Sequence, residues 1–223
     1  MIKYTDYEKE IAIDFAKDLI NCGIEYYLAP SSYTEKRMGR QDFYKKLEVL
    51  PYDTCVASGA TRGVFMRNDG ELDRWVIKAD FKTNSYHYCA LEAQYYEEAV
   101  AEGVDWAFAA TYFLTEINGI YFYIQERLNC DCQDSTSEKL RDYIINECGV
   151  VQEEDEDDLD FQSRIWDYED SWLEWDDVLV CLIGDADVEE FIYSHGINDL
   201  HEANYGLTEE GYFKVVDFCG YNE

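Results

Sequence analysis

The chain has 223 residues, of which 47% are hydrophobic and 16% aromatic, enough apolar material for a real core and too much for wholesale disorder. Its 18 Lys and Arg stand against 49 Asp and Glu, a formal net charge of −31 that repels phosphate backbones and anionic lipid heads. This excludes general nucleic-acid or membrane-surface binding and suits a basic partner or simple solubility.

The first ten residues are too charged for a secretory signal, and the longest apolar runs, 106–114 and 178–183, are far short of a membrane span. Eight cysteines in such a chain are read as reduced thiols of a cytoplasmic protein. Cys130-x-Cys132 is the close pair, but it lacks the longer spacer and the second pair of a structural zinc site.

From the N-terminus, Thr5-x-x-Glu8 is a capping-box pattern, and Tyr7, Ile11, Phe15 and Leu19 recur every fourth residue until Cys22-Gly23 stops the helix. Residues 24–52 have weak periodicity and are assigned to no element. Residues 56–66 and 74–81 are expected as two strands joined by Arg67-Asn68-Asp69-Gly70, and 88–101 has helical spacing. Residues 108–115 and 120–127 flank Asn118-Gly119, a second hairpin signal. This order predicts a mainly antiparallel sheet carrying one helix.

The second half is more helical. Residues 138–148 form a helix ended by Gly149, and the acidic stretch 153–158 is a solvated loop. Ser171-x-x-Glu174 caps a helix bearing Trp172, Trp175, Val178, Leu179 and Leu182, and 188–195 forms another, ended by Gly196. Tyr205–Leu207 and 212–217 pair as a small hairpin closed by 208–211.

One polar residue sits badly in this pattern. At the helical repeat Glu92 falls about 40° from Tyr88, inside the apolar stripe of Tyr88, Leu91, Tyr95 and Ala99. A buried carboxylate must find a cation or neutralise. Lys78, which ends the apolar run Trp75-Val76-Ile77 on the preceding strand, is the natural partner. The alternative is that Glu92 reaches solvent at the helix edge and Lys78 snorkels.

Farther on, Asp199-Leu200-His201-Glu202-Ala203-Asn204 is followed after one hairpin by Val215-Val216-Asp217-Phe218. Lys78, Glu92, Asp199 with Asn204 five residues on, and Asp217-Phe218, behind a glycine-bearing first hairpin (Gly59, Gly63), resemble the protein kinase-like superfamily in chain order. The resemblance covers residues 54–219. His201 is similar to the aminoglycoside- and choline-kinase branch, since protein kinases usually carry Lys there.

The resemblance implies an α+β, protein kinase-like fold. Residues 1–53 would be an N-terminal helical extension, 54–128 an antiparallel-sheet N-lobe with one helix, and 129–223 a reduced, mainly helical C-lobe. It further implies ATP and Mg²⁺ as cofactors and transfer of the γ-phosphoryl to a hydroxyl of a protein or small molecule. Gly59, Arg62, Gly63 and Val64 would approach the phosphates, Arg62 either as an extra contact or turned to solvent. Lys78 would hold the α- and β-phosphates with Glu92 orienting it, and Asn204 and Asp217 would ligate Mg²⁺. Asp199 would accept or orient the acceptor's hydroxyl proton, and His201 would contact the γ-phosphate. The backbone of Glu126 and Leu128 would face the adenine.

Three departures stand out. Ala57 and Arg62 replace frequent loop glycines. Cys219 replaces the glycine after Asp-Phe, and Asn198 stands where many protein kinases have Arg. The chain ends six residues past Asp217, so the activation segment and later helices of a protein kinase are expected to be missing. Small kinases of this kind imply a bacterial or bacteriophage source. A nucleotide-binding pseudokinase and an acidic nucleic-acid mimic are the competing readings, and a basic protein or basic substrate is the partner that the charge suits.

Overall fold

The computed structural model describes residues 2–25, 33–58, 63–81, 88–153, 156–198 and 200–218. The architecture is α+β, with a five-stranded antiparallel sheet, a two-stranded hairpin and, among the described residues, seven α-helices. The chain forms two compact units, Met1–Asp105 with Ala109–Arg127 and Trp106–Phe108 with Leu128–Glu223.

The first unit opens with α1 (Asp6–Cys22). The capping box forms as its residues dictate: the Glu8 N–H donates to Thr5 Oγ1 at 3.1 Å and the Thr5 N–H to Glu8 Oε2 at 2.6 Å. Gly23, at φ +91°, closes the helix, because a left-handed residue is least strained without a Cβ. The buried face is Ala12, Phe15, Ala16, Leu19 and Cys22, whereas Tyr7 is exposed and donates its hydroxyl to Glu71. A second helix, α2 (Tyr33–Leu47), occupies the region to which the sequence assigned nothing. Its charged composition hides the periodicity, but Phe43 and Leu47 are buried anchors.

The sheet comprises β1 (Asp53–Ser58), β2 (Gly63–Asn68), β3 (Trp75–Phe81), β4 (Thr111–Ile117) and β5 (Ile120–Glu126), in the order β1-β2-β3-β5-β4. The single strand expected over 56–66 is two strands, antiparallel and paired from Asp53↔Asn68 to Ser58↔Gly63. The intervening Gly59-Ala60-Thr61-Arg62 has no Asn-Gly or Asp-Gly signature, so the alternation runs through it unmarked. The β4–β5 turn has the expected chemistry: Asn118 and Gly119 both take positive φ, +54° and +79°, as a two-residue hairpin of this twist requires.

Both sheet faces are covered. Phe65, Ile77 and Ile124 stand opposite one another across β2, β3 and β5, and Phe43 of α2 packs edge-on against Phe65, ring centroids 6.0 Å apart. Val64, Lys78 and Tyr123 occupy the adjacent positions on the same strands and therefore face the other way. On that side Lys78 meets Glu92 of α3 (Tyr88–Glu102). The N-terminal helices thus form a layer of the sheet unit, tied further by the Trp75 Nε1–H bond to Glu8 at 2.9 Å and the Tyr4–Trp75 ring contact.

The second unit holds α4 (Gln133–Asn146), α5 (Asp158–Trp172), α6 (Trp175–Leu182) and α7 (Ala186–His195). Its hairpin pairs β6 (Tyr205–Leu207) with β7 (Phe213–Val215). Of the acidic stretch 153–158, Asp157 caps α5 by accepting from the Leu159 and Asp160 N–H groups, and Glu156 pairs with Arg164 at 2.7 Å. The helix expected to start at Ser171 starts instead at Trp175, where Glu174 and Asp177 form the capping box. Ile144, Phe161 and Ile165 make one core cluster. All seven described cysteines are free thiols, and no helix among the described residues is long and apolar enough to cross a membrane.

Candidate functional site

Lys78 and Glu92 are brought together. Lys78 Nζ lies 2.8 Å from Glu92 Oε2, with the two side chains 4% and 0% exposed. The reading in which Glu92 escapes to solvent is therefore excluded. The buried face of α3 is Cys89, Glu92, Tyr96 and Ala99, rotated from the apolar stripe read off the sequence so that Glu92 is near its centre. The rotation has a physical cause: a strand lysine supplies the opposite charge that makes burial of a carboxylate tolerable.

The strand register adds a second relationship. Val64 stands directly across from Lys78, and Gly63 across from both Ser58 and Ala79. A segment that includes two of the expected phosphate-loop residues thus lies beside the lysine. Gly59 and Arg62 lie outside the described residues. At the end of β5, the Glu126 N–H donates to the Ala110 carbonyl at 2.8 Å while Glu126 Oε2 accepts from the Ala110 N–H at 3.1 Å. Its amide is therefore committed to its own sheet unit.

The second unit carries the remaining candidates. Asp199 lies outside the described residues. Leu200, next to it, is 1% exposed and anchors the loop, while His201 is half-buried. The Asn204 N–H donates to the His201 carbonyl at 2.9 Å, closing the short 3₁₀ turn Glu202–Asn204. Asn204 is buried, and its carbonyl accepts from the Val216 N–H at 2.8 Å, which sets Asn204 opposite the residue before Asp217. The Phe218 ring is fully buried against Phe108, centroids 5.2 Å apart, and Phe108 packs on Phe191 at 5.4 Å. This aromatic stack holds the backbone on which the half-buried Asp217 sits.

Among the described residues no group of three or more His, Cys, Asp or Glu converges as a metal cage. Asn204 and Asp217 offer two oxygen donors, the hard ligands Mg²⁺ prefers, and Mg²⁺ in phosphoryl-transfer sites draws its other ligands from phosphates and water. By residue type alone, these two donors suit such an ion.

Two positioning features escaped the sequence reading. Phe108 and Phe191 are the anchors of Phe218, and nothing local to Phe218 announces them. Gly206 is the other: a Cβ there would lie 2.7 Å from Leu128 Cβ and 3.3 Å from Cys130 Sγ, so the bare backbone lets β6 approach Leu128. A cavity of about 650 Å³ lies in the sheet unit between α3 and β4–β5, lined by Tyr96, Tyr112, Phe113 and Tyr123 among others. Neither Lys78 nor Glu92 lines it, so it is separate from the ion pair.

No protein-family model matches this chain, and no curated protein shows significant similarity to it.

Proposed function

We propose that the chain is a minimal kinase-like phosphotransferase that binds ATP with Mg²⁺ and moves the γ-phosphoryl group to a hydroxyl acceptor. The observation that carries this reading is the buried Lys78–Glu92 ion pair, with the lysine on the third strand of the sheet and the glutamate on the helix that follows it. Protein kinases hold the nucleotide's phosphates with a lysine and glutamate placed on these same two elements. A fully buried ion pair is expensive to maintain against desolvation, and a hydrophobic pair would stabilise the fold at least as well. A pair that orients an ammonium for phosphate has a reason to persist.

In this reading Lys78 holds the α- and β-phosphates, Gly63 and Val64 approach them by backbone, and Asn204 and Asp217 ligate Mg²⁺. Asp199 takes the proton of the attacking hydroxyl as its oxygen bonds to the γ-phosphorus and the bond to the leaving ADP breaks. His201 lies beside the transferred group. Phosphoryl transfer asks for positioning and charge stabilisation rather than covalent catalysis, and these residue types supply both.

The test is thermal unfolding of wild type and Asp217→Ala with and without ATP and Mg²⁺. Nucleotide at about 100 times its dissociation constant contributes about 2.7 kcal/mol, a rise of roughly 5–10 °C for a chain of this size. The rise should require Mg²⁺ and be lost in Asp217→Ala. The same melting temperature with and without nucleotide in wild type would overturn the proposal.

A further inference from the structure

Helices α4 and α5 border a groove of about 580 Å³ on the second unit. Ile165, 1% exposed, is at its floor, and Trp166 forms part of its wall with 61% of its surface in solvent. Leu159, seven residues earlier and therefore on the same side of α5, is 81% exposed. The inward stripe of α5 is already used, since Phe161 and Ile165 pack with Ile144. The helix thus presents a second apolar line, about 10 Å long, that its own unit does not cover. Isolated exposed apolar residues are ordinary, but an indole and a leucine on one helix face beside a concave surface form a docking edge.

These two helices are predominantly acidic, with eight Asp and Glu against three Lys and Arg. Glu138 and Glu169 line the groove, and Asp142, Asp160 and Asp167 are exposed on the same two helices. Arg141 is the cation among the lining residues, and Arg164 is turned to Glu156 at 2.7 Å. A second copy of the chain would bring −31 against −31. Nucleic acid is repelled for the same reason.

We propose that the α4–α5 groove docks a basic amphipathic polypeptide segment. An apolar side chain of the segment lies against Trp166 and Leu159, and its Lys or Arg residues pair with Glu138 and Glu169. An arginine there also gains from stacking on the exposed indole. This surface stands apart from the nucleotide reading and survives or fails without it.

The probe is a fluorescein-labelled synthetic peptide of Lys and Leu at helical spacing, titrated with the full chain at near-physiological salt and followed by anisotropy. Three comparisons decide the matter: Trp166→Ala, the double variant Glu138→Gln/Glu169→Gln, and a charge-matched control in the other unit, Glu97→Gln/Glu102→Gln. The expected result is about tenfold weaker binding or worse for each groove variant and unchanged binding for the control. The same peptide with Ser in place of Leu should bind about tenfold more weakly to wild type. Equal binding by all variants would overturn the proposal in favour of diffuse attraction to an acidic chain. Sedimentation showing a dimer that Trp166→Ala dissociates would overturn it in favour of a second copy. Trp166 is exposed, so its replacement should leave the melting temperature unchanged; if it does not, the Glu138→Gln/Glu169→Gln comparison decides alone.

Discussion

Lys78 Nζ and Glu92 Oε2 lie 2.8 Å apart with both side chains out of solvent, so an ion pair joins β3 to α3 inside the sheet unit. Removing one partner leaves the other charge buried, and that penalty exceeds the worth of the pair itself. Lys78→Met and Glu92→Leu should each destabilise the chain by about 3–5 kcal/mol in urea unfolding. The double variant Lys78→Met/Glu92→Leu should lose less than either single variant. A double-variant loss equal to the sum of the two would show that the residues do not act as a pair.

Glu8 gives a pH-dependent prediction. Partial burial works against its ionised form, but the Thr5 N–H and the Trp75 indole donate to the carboxylate, and the balance holds it below the usual carboxylate range. The stabilisation is therefore complete above the unfolded value of about 4.3 and is lost as pH falls through the lower folded value. Glu8→Gln should cost about 1 kcal/mol at neutral pH, with the deficit shrinking below about pH 4. Unfolding curves taken at both ends of this range check the sign, and a deficit that grows on acidification would contradict it.

Gly206→Ala tests the close approach in the second unit. The added methyl would sit 2.7 Å from Leu128 Cβ and 3.1 Å from Val216 Cγ2, neither of which is the far end of a flexible chain. The expected loss is about 1–3 kcal/mol by chemical denaturation. Leu128→Ala alone does not relieve the clash, because the contact is at its Cβ; Leu128→Gly should recover part of the loss in the double variant.

Cysteine reactivity should follow burial. Desolvation pushes the Cys181 thiol up to about 11, and the thiolate is the nucleophile. Cys55 is exposed. Peptide mapping after brief iodoacetamide treatment at pH 8 should find Cys55 modified well before Cys181. Comparable rates at both sites would mean that Cys181 is not shielded as described.

The polar residues of the candidate site were legible as an order along the chain, and the structure adds the relationships between some of them. Glu92 was flagged by its place in an apolar stripe, but hydropathy could not put it near the centre of the buried face, because the partner that makes this tolerable is fourteen residues away on a strand. The same holds for Phe218, whose anchors Phe108 and Phe191 are distant in sequence. Helix α2 was not legible at all, since its anchor Phe43 is recognisable only against Phe65 of β2.

Features made by neighbours along the chain were readable without the fold. The Thr5–Glu8 capping box, the Asn118-Gly119 turn and the glycine stops at Gly23 and Gly196 each satisfy backbone groups or positive φ within a few residues, so local composition suffices. Tertiary structure alone decided which charges are buried, how β1 and β2 divide an unbroken alternation, and where Gly206 must be bare. Burial and steric contact depend on what lies opposite in space, and a carboxylate, a strand or a glycine has no local property that names its distant neighbour.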